Sequence, residues 1–164
     1  MTEQEKRKHR CCFTGHRPEK LSISEREVKT ALQKEIRLAI ADGINVFITG
    51  MAPGVDIWAA EIVLELRKKE ELSLKLIAAS PHPGFENRWS IEWQKRYAAV
   101  MAKADFIKEV CSHYSRGCYQ IRNEWMVDHS ARVIAVWNGR PSGTKNPIVY
   151  EKRKGVPLIN ILDK

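Results

Sequence analysis

The sequence predicts an α/β fold: a Rossmann-like three-layer αβα sandwich around a mostly parallel sheet of five or six strands. Short apolar segments alternate with longer segments whose apolar residues recur at helical spacing. Strands that are joined by helices of this length form right-handed βαβ units, so the sheet should be parallel and covered on both faces. A chain of 164 residues with 43% apolar and 29% charged residues is long enough for one domain with a proper core.

The first half of the chain should contain three strands, at 11–14, 45–49 and 74–79. A helix after the first strand begins at a capping box, in which Ser24 is the cap and Glu27 reaches back to it. That helix ends at Asp42 and Gly43. A second helix begins at Val55, after the second strand.

The second half should contain a helix at 86–103, a weaker strand at 105–110 and a helix at 119–130. A fifth strand at 132–137, a last helix at 146–154 and a final strand at 157–161 complete the sheet. Trp89, Trp93 and Tyr97 lie on one face of the helix at 86–103. We interpret this stripe as core or as the seam of a homodimer, with base stacking as the minority interpretation.

The charge distribution separates a basic N-terminal tail, residues 1–10, from a single domain at 11–164. A net charge of +8 and a pI of about 9.4 favour an anionic partner, such as nucleic acid, a nucleotide or another phosphate compound. A merely soluble basic surface explains the same numbers. The sequence shows no secretory signal and no apolar stretch that could cross a bilayer, and its four cysteines form no disulfide pattern, so we expect a cytoplasmic protein.

The predicted loops at the carboxyl ends of the strands are rich in small, polar and basic residues. Ligands of open parallel sheets bind at this edge, where glycines let the backbone approach a ligand and helix N-termini attract anions. Phosphate is the simplest ligand for such loops, although each glycine could also serve only a strand-to-helix turn. The candidate residues in these loops are Thr14, Gly15, His16, Arg17, Gly50, Gly54, Asp56, Asn138, Gly139, Gly143 and Thr144. Asp56 would cap the following helix or hold ribose hydroxyls.

Arg122 and Asn123 lie early in the helix that precedes the fifth strand. The helix dipole does not favour an arginine at this position. Arg122 could pair with Glu124 or Asp128 at the surface, or it could hold its guanidinium toward a phosphate or carboxylate.

No cofactor or metal is expected. The chain has neither a Walker lysine motif nor the G-x-G-x-x-G fingerprint. The spacing of Cys111, His113 and Cys118 matches no standard zinc site.

Three segments resemble the YpsA-like branch of the SLOG superfamily, which joins DprA (Smf) with the Lonely Guy phosphoribohydrolases. They are CCFTGHRPEKL at 11–21, the pattern G-x-x-x-G-V-D-x-x-A-A-E at 50–61, and the loop at 138–144. The resemblance implies a Rossmann-like domain that binds a nucleotide or a nucleotide-derived ligand. Many relatives are regarded as ligand sensors.

The Lonely Guy enzymes, which cleave the N-glycosidic bond of nucleoside monophosphates, offer a second function. Arg122 falls on their arginine, and Gly143 and Thr144 fall on their Gly-Thr pair. Asn123 replaces their lysine, and Pro147 occupies the position of their essential glutamate. Glu124 and Glu61 are the carboxylates that could substitute, so the catalytic candidates are Arg122, Glu124 and Glu61.

DprA offers a third function, the binding of single-stranded DNA. Its similarity is carried by residues 50–61, where Glu61 replaces the histidine of DprA. The aromatic residues that the sequence clusters lie on the stripe at 89–97 and not beside a basic groove. The leading prediction is therefore a nucleotide-binding domain that holds phosphate with glycine-rich loops, Arg17 and Arg122.

Overall fold

A six-stranded, fully parallel sheet organises the chain in the order β4-β3-β2-β1-β5-β6. The computed structural model describes residues 1–15, 17–137 and 155–162. The strands are β1 (Arg10–Gly15), β2 (Val46–Thr49), β3 (Lys75–Ser80), β4 (Phe106–Glu109), β5 (Arg132–Val136) and β6 (Leu158–Asn160). The predicted Rossmann-like α/β fold is confirmed.

Five α-helices accompany the sheet in the described ranges. They are α1 (Glu3–Arg7), α2 (Glu25–Ala41), α3 (Val55–Lys69), α4 (Ile91–Lys103) and α5 (Cys118–Asp128). The N-terminal segment that we expected as a tail contains α1, and Arg10 already belongs to β1. The helix predicted at 146–154 lies outside the described residues.

Successive side chains of a strand point to opposite faces of the sheet, so the core consists of two layers. Cys11 and Phe13 of β1 face the larger cluster, which α2, α3 and α4 cover, while Cys12 faces a smaller cluster with Met126 and Val127 of α5. The two sheet faces are therefore both covered, as a parallel sheet requires.

Local signals explain two helix starts. The hydroxyl of Ser24 accepts a hydrogen bond from the N–H of Glu27 at 3.2 Å, and the Glu27 carboxylate accepts one from the Ser24 N–H at 3.4 Å. The predicted start of the helix at 86–103 is wrong. Ser90 is the N-cap of α4, so Trp89 precedes that helix and packs beside it on Tyr97.

The direction in which successive strands are added to the sheet reverses between β1 and β5. From β1 the chain adds β2, β3 and β4 in one direction and then returns to pair β5 with the other side of β1. Gly15, the last residue of β1, pairs in register with Val136, the last residue of β5. Ligands of such sheets bind at this switch point, outside the carboxyl ends of the strands.

Candidate functional site

The loops after β1 and β2 pack against each other at the carboxyl edge of the sheet. A Cβ atom on Gly15 would lie 2.5 Å from the nearest atom of Val55, the first residue of α3. A Cβ on Gly54 would lie 2.8 Å from Cδ of Pro18. These glycines therefore allow the segment after β1 to lie directly against the N-terminus of α3.

The loop between β2 and α3 is held by hydrogen bonds from buried polar groups. The hydroxyl of Thr49 donates to the Asp56 carbonyl at 2.8 Å and accepts from the Met51 N–H at 3.3 Å. The carboxylate of Asp56 accepts from the Ala52 N–H at 3.2 Å. Met51 adopts the left-handed conformation, with φ +66°, although it is fully buried. Such a backbone persists only where its surroundings fix it, and it is concentrated at functional sites.

The N-terminus of α3 presents backbone donors at this edge. Gly54 is the N-cap and supplies no side-chain cap. The N–H of Trp58 bonds to the Gly54 carbonyl, whereas the N–H groups of residues 55–57 have no acceptor within the described part of the chain. Asp56 therefore binds the loop and does not cap the helix, so of the two roles expected for it, only that of holding ribose hydroxyls stays a prediction. Free N–H groups at a helix N-terminus favour an anion.

Arg122 of α5 is buried in the same site, with 7% of its surface exposed. One terminal nitrogen, Nη1, donates to the Gly50 carbonyl, and Nε donates to Oδ1 of Asn123 at 2.9 Å. The other terminal nitrogen, Nη2, has no hydrogen-bond partner among the residues described. A Cβ on Gly50 would lie 2.8 Å from Oδ2 of Asp56 and 3.0 Å from Nη1 of Arg122, so only glycine lets these groups approach.

Arg17 completes the charge distribution. Burial raises the pKa values of Asp56 and Tyr119 and lowers that of Arg122, and it is the largest influence on each of them. The positive charge of Arg17 lowers the pKa of all three groups, and Pro18, the residue after Arg17, lies against Gly54 at the N-terminus of α3. Arg17 forms no ion pair with any described residue. We call Arg17 and Arg122, whose positive charges both lower the pKa of Asp56, the arginine pair.

The other carboxylates considered for catalysis have partners of their own. Both carboxylate oxygens of Glu61 accept from Arg96 of α4, at 3.0 and 2.6 Å. The carboxylate of Glu124 accepts from Nε2 of Gln120, one turn earlier in α5, at 2.8 Å.

The remaining sequence candidates divide into two groups. Thr14 is buried at the end of β1, beside Gly15. Pro147 and five of the candidate residues lie outside the described residues; the five are His16, Asn138, Gly139, Gly143 and Thr144. The segment that carries the last four leaves β5 at Trp137, whose backbone N–H and C=O both bond to the side chain of Asn160 at 3.1 and 2.8 Å.

Sequence reasoning missed an aromatic group beside the arginine pair. His82, Phe85, Tyr114 and Tyr119, which we call the ring cluster, come from the loops after β3 and β4 and from the first turn of α5. The Arg122 guanidinium lies 5.7 Å from the centre of the Phe85 ring. The expectation that aromatic residues cluster only on the stripe at 89–97 is therefore wrong. One sequence signal could have indicated this cluster: the segment 81–84 contains two prolines and a glycine, and an aromatic residue, Phe85, follows it.

Across the ranges that the structure describes, no helix combines the length and apolarity needed to cross a membrane. Over the same ranges, no three His, Cys, Asp or Glu side chains are grouped as a metal ion would require.

The chain is similar to several known proteins. The YpsA family model, described as the YspA SLOG family, matches residues 11–155. A UPF0398 protein of Macrococcus caseolyticus is 31% identical over 134 residues, which is 77% of this chain and 72% of the relative. A UPF0398 protein of Ligilactobacillus salivarius is 30% identical over 149 residues, 86% of this chain and 80% of the relative.

Solved structures share the fold. DNA processing protein A of Helicobacter pylori, described for its single-stranded DNA binding mode, matches with a TM-score of 0.62 at 20% identity. The match covers 95% of this chain but only 66% of that protein. DprA of Streptococcus pneumoniae matches with a TM-score of 0.62 at 15% identity, over 95% of this chain and 52% of that one. The family match extends from Cys11 in β1 to Gly155, three residues before β6 begins, and the chain therefore belongs to the YpsA family of SLOG proteins.

Proposed function

We propose that this protein binds a nucleotide or a nucleotide-derived ligand and holds its phosphate at the carboxyl edge of β1 and β2. The observation that carries the proposal is that two arginines come from segments beside the N-terminus of α3: Arg122 bonds to the Gly50 carbonyl, and Arg17 precedes Pro18, which lies against Gly54. Charge-assisted hydrogen bonds from arginine to phosphate are stronger than neutral ones, and a helix N-terminus adds backbone donors.

The role of each group follows from its contacts. Nη1 and Nε of Arg122 are fixed by Gly50 and Asn123, which leaves Nη2 for the ligand. Arg17, in the loop after β1, would meet the same phosphate from the other side. Asp56 offsets one of the two positive charges, which lessens the like-charge repulsion between Arg17 and Arg122.

Calorimetric titration with ribose 5-phosphate, AMP, ADP-ribose and a cyclic dinucleotide tests the proposal. Loss of one arginine–phosphate interaction should weaken binding by about 10- to 150-fold, which corresponds to about 1.5–3 kcal/mol. Arg17→Gln and Arg122→Gln should each show this loss. Lys68→Gln, which removes an exposed positive charge at the far end of α3, should not.

Two results would contradict the proposal. One is the absence of heat with all four probes at millimolar concentration. The other is an equal weakening in Lys68→Gln, which would mean that the ligand responds only to overall charge.

Single-stranded DNA is the second candidate ligand. The net charge of +8 and the fold shared with a DprA that binds single-stranded DNA support it. Each phosphate neutralised should contribute about −0.7 to the slope of log affinity against log salt concentration. A flat salt response of a labelled oligonucleotide would remove this candidate.

The N-glycosidase alternative has less support. Glu61 pairs with Arg96, Asp56 accepts from Ala52, and Glu124 accepts from Gln120, so each of these three carboxylates already has a partner. We therefore propose binding and assign no catalytic residue.

A further inference from the structure

The ring cluster forms one continuous set of contacts. The His82 ring stacks on Tyr119, with 6.0 Å between centroids and 9° between planes. It meets Phe85 and Tyr114 edge-on at 5.8 and 5.4 Å. Phe85 and Tyr119 are themselves 5.4 Å apart. Three separate segments of the chain therefore build a single aromatic surface.

Exposure increases from one side of the ring cluster to the other. Phe85 and His82 are 6% and 9% exposed, whereas Tyr119 and Tyr114 are 42% and 63% exposed. The inner rings pack on the core, where Phe85 contacts Trp89 at 4.9 Å. The outer tyrosines thus present ring surface to solvent on a support that is fixed by packing.

The inner side of the cluster adjoins the arginine pair. The guanidinium of Arg122 lies 5.7 Å from the centre of the Phe85 ring, which contacts Tyr119, and the positive charges of Arg17 and Arg122 both lower the pKa of Tyr119. A phosphate held by the arginine pair is therefore next to the tyrosines. A ligand that extends from this phosphate along the carboxyl edge would meet aromatic ring faces.

We propose that Tyr119 and Tyr114 stack the base of the nucleotide whose phosphate the arginine pair holds. This inference rests on the proposed function and narrows it to ligands that carry an aromatic base, as opposed to sugar phosphates or inorganic phosphates. Stacking of a base on an aromatic side chain is favourable for every base, because each base has a π-face. Tyr119, which touches both His82 and Phe85, is the central platform.

Comparison of AMP with ribose 5-phosphate by calorimetry isolates the base. Both probes carry the phosphate and the ribose, so their affinity ratio measures what the base adds. One stacked base should make AMP about 5- to 150-fold tighter than ribose 5-phosphate.

Tyr119→Leu should reduce the affinity for AMP to nearly that for ribose 5-phosphate and leave the latter unchanged. Tyr119→Phe should keep the ratio, because the ring remains. Phe106→Leu is the matched control, since Phe106 is a 54% exposed aromatic residue at the amino end of β4, away from the site. Unchanged ribose 5-phosphate binding in Tyr119→Leu also shows that this variant is folded.

The outcomes separate the two proposals. If ribose 5-phosphate binds and AMP binds no tighter, the stacking inference is overturned and the phosphate site stands. If Tyr119→Leu leaves the AMP ratio intact, the inference is equally overturned. If neither probe binds the wild-type protein, the proposed function fails, and this inference fails with it. Binding of a thymidylate oligonucleotide that Tyr119→Leu abolishes would support stacking, with a nucleic acid strand as the source of the base.

Discussion

Gly50→Ala should damage both the stability and the phosphate site, because of where the added methyl group would lie. Its Cβ would be 2.8 Å from Oδ2 of Asp56 and 3.0 and 3.1 Å from Nη1 and Cζ of Arg122. Both neighbours are buried, with 8% and 7% of their surface exposed, so neither has open space to enter. At least one of them must move, and the Arg122 bond to the Gly50 carbonyl must distort.

The expected loss of stability in Gly50→Ala can be taken from the measured cost of overpacking in protein cores. Forcing a methyl group into a packed site costs about 1–3 kcal/mol. In a chain of 164 residues, 1 kcal/mol lowers Tm by roughly 2–4 °C, so a cost of about 2 kcal/mol lowers it by roughly 4–8 °C. Affinity for ribose 5-phosphate should fall as well, because Arg122 loses its fixed position.

Thermal unfolding followed by circular dichroism, together with calorimetric titration, measures both effects. Gly117→Ala is the matched control, since no atom within 4 Å meets its added Cβ and its φ of −97° suits alanine. Its Tm and affinity should match those of the wild type. Gly50→Ala with the same Tm and affinity as Gly117→Ala would refute the argument from Asp56 and Arg122.

Three further predictions concern neighbouring groups. Gly54→Ala should cost at least as much as Gly50→Ala in chemical denaturation, because φ is +95° and the new Cβ would lie 2.8 Å from Pro18; a wild-type denaturation midpoint would contradict it. Glu61→Gln should cost less than about 1 kcal/mol and leave ribose 5-phosphate binding unchanged, because its partly exposed pair with Arg96 contributes little. If chromatography showed that the wild-type protein releases adenine from AMP and that Glu61→Gln does not, this prediction would be contradicted. Asp56→Asn tests a pH effect, since burial raises the pKa of Asp56 above its ordinary value of 3.8. The stability that Asp56 contributes is then present below pH 3.8 and lost as the pH rises through the higher native pKa. Urea unfolding should show the Asn variant gaining stability relative to wild type from about pH 4 upward, and a constant difference would be the contrary result.

The order of strands and helices could be predicted because its signals are local. The capping box at Ser24 and Glu27, and the apolar runs of β2 and β5, lie within a few residues of the boundaries that they mark. Helix α4 began later than predicted because Ser90 caps it, while Trp89 follows the loop and packs on Phe85.

The site was less accessible to sequence reasoning because its contacts join distant segments. Arg122 looked unfavourable at the start of a helix, but it is anchored by the carbonyl of Gly50, which is 72 positions earlier in the chain. The ring cluster unites residues from 82 to 119, so no local pattern announces it. A resemblance to a family indicated the loops, while only the fold brings Tyr119 beside the arginine pair.

A crystal structure of the protein soaked with AMP tests the central claim most directly. We expect phosphate density within hydrogen-bond distance of Arg17 and Arg122, beside the first turn of α3, with the adenine ring stacked on Tyr119. Density for AMP on another surface, or an empty carboxyl edge at an AMP concentration that saturates the protein in solution, would contradict it.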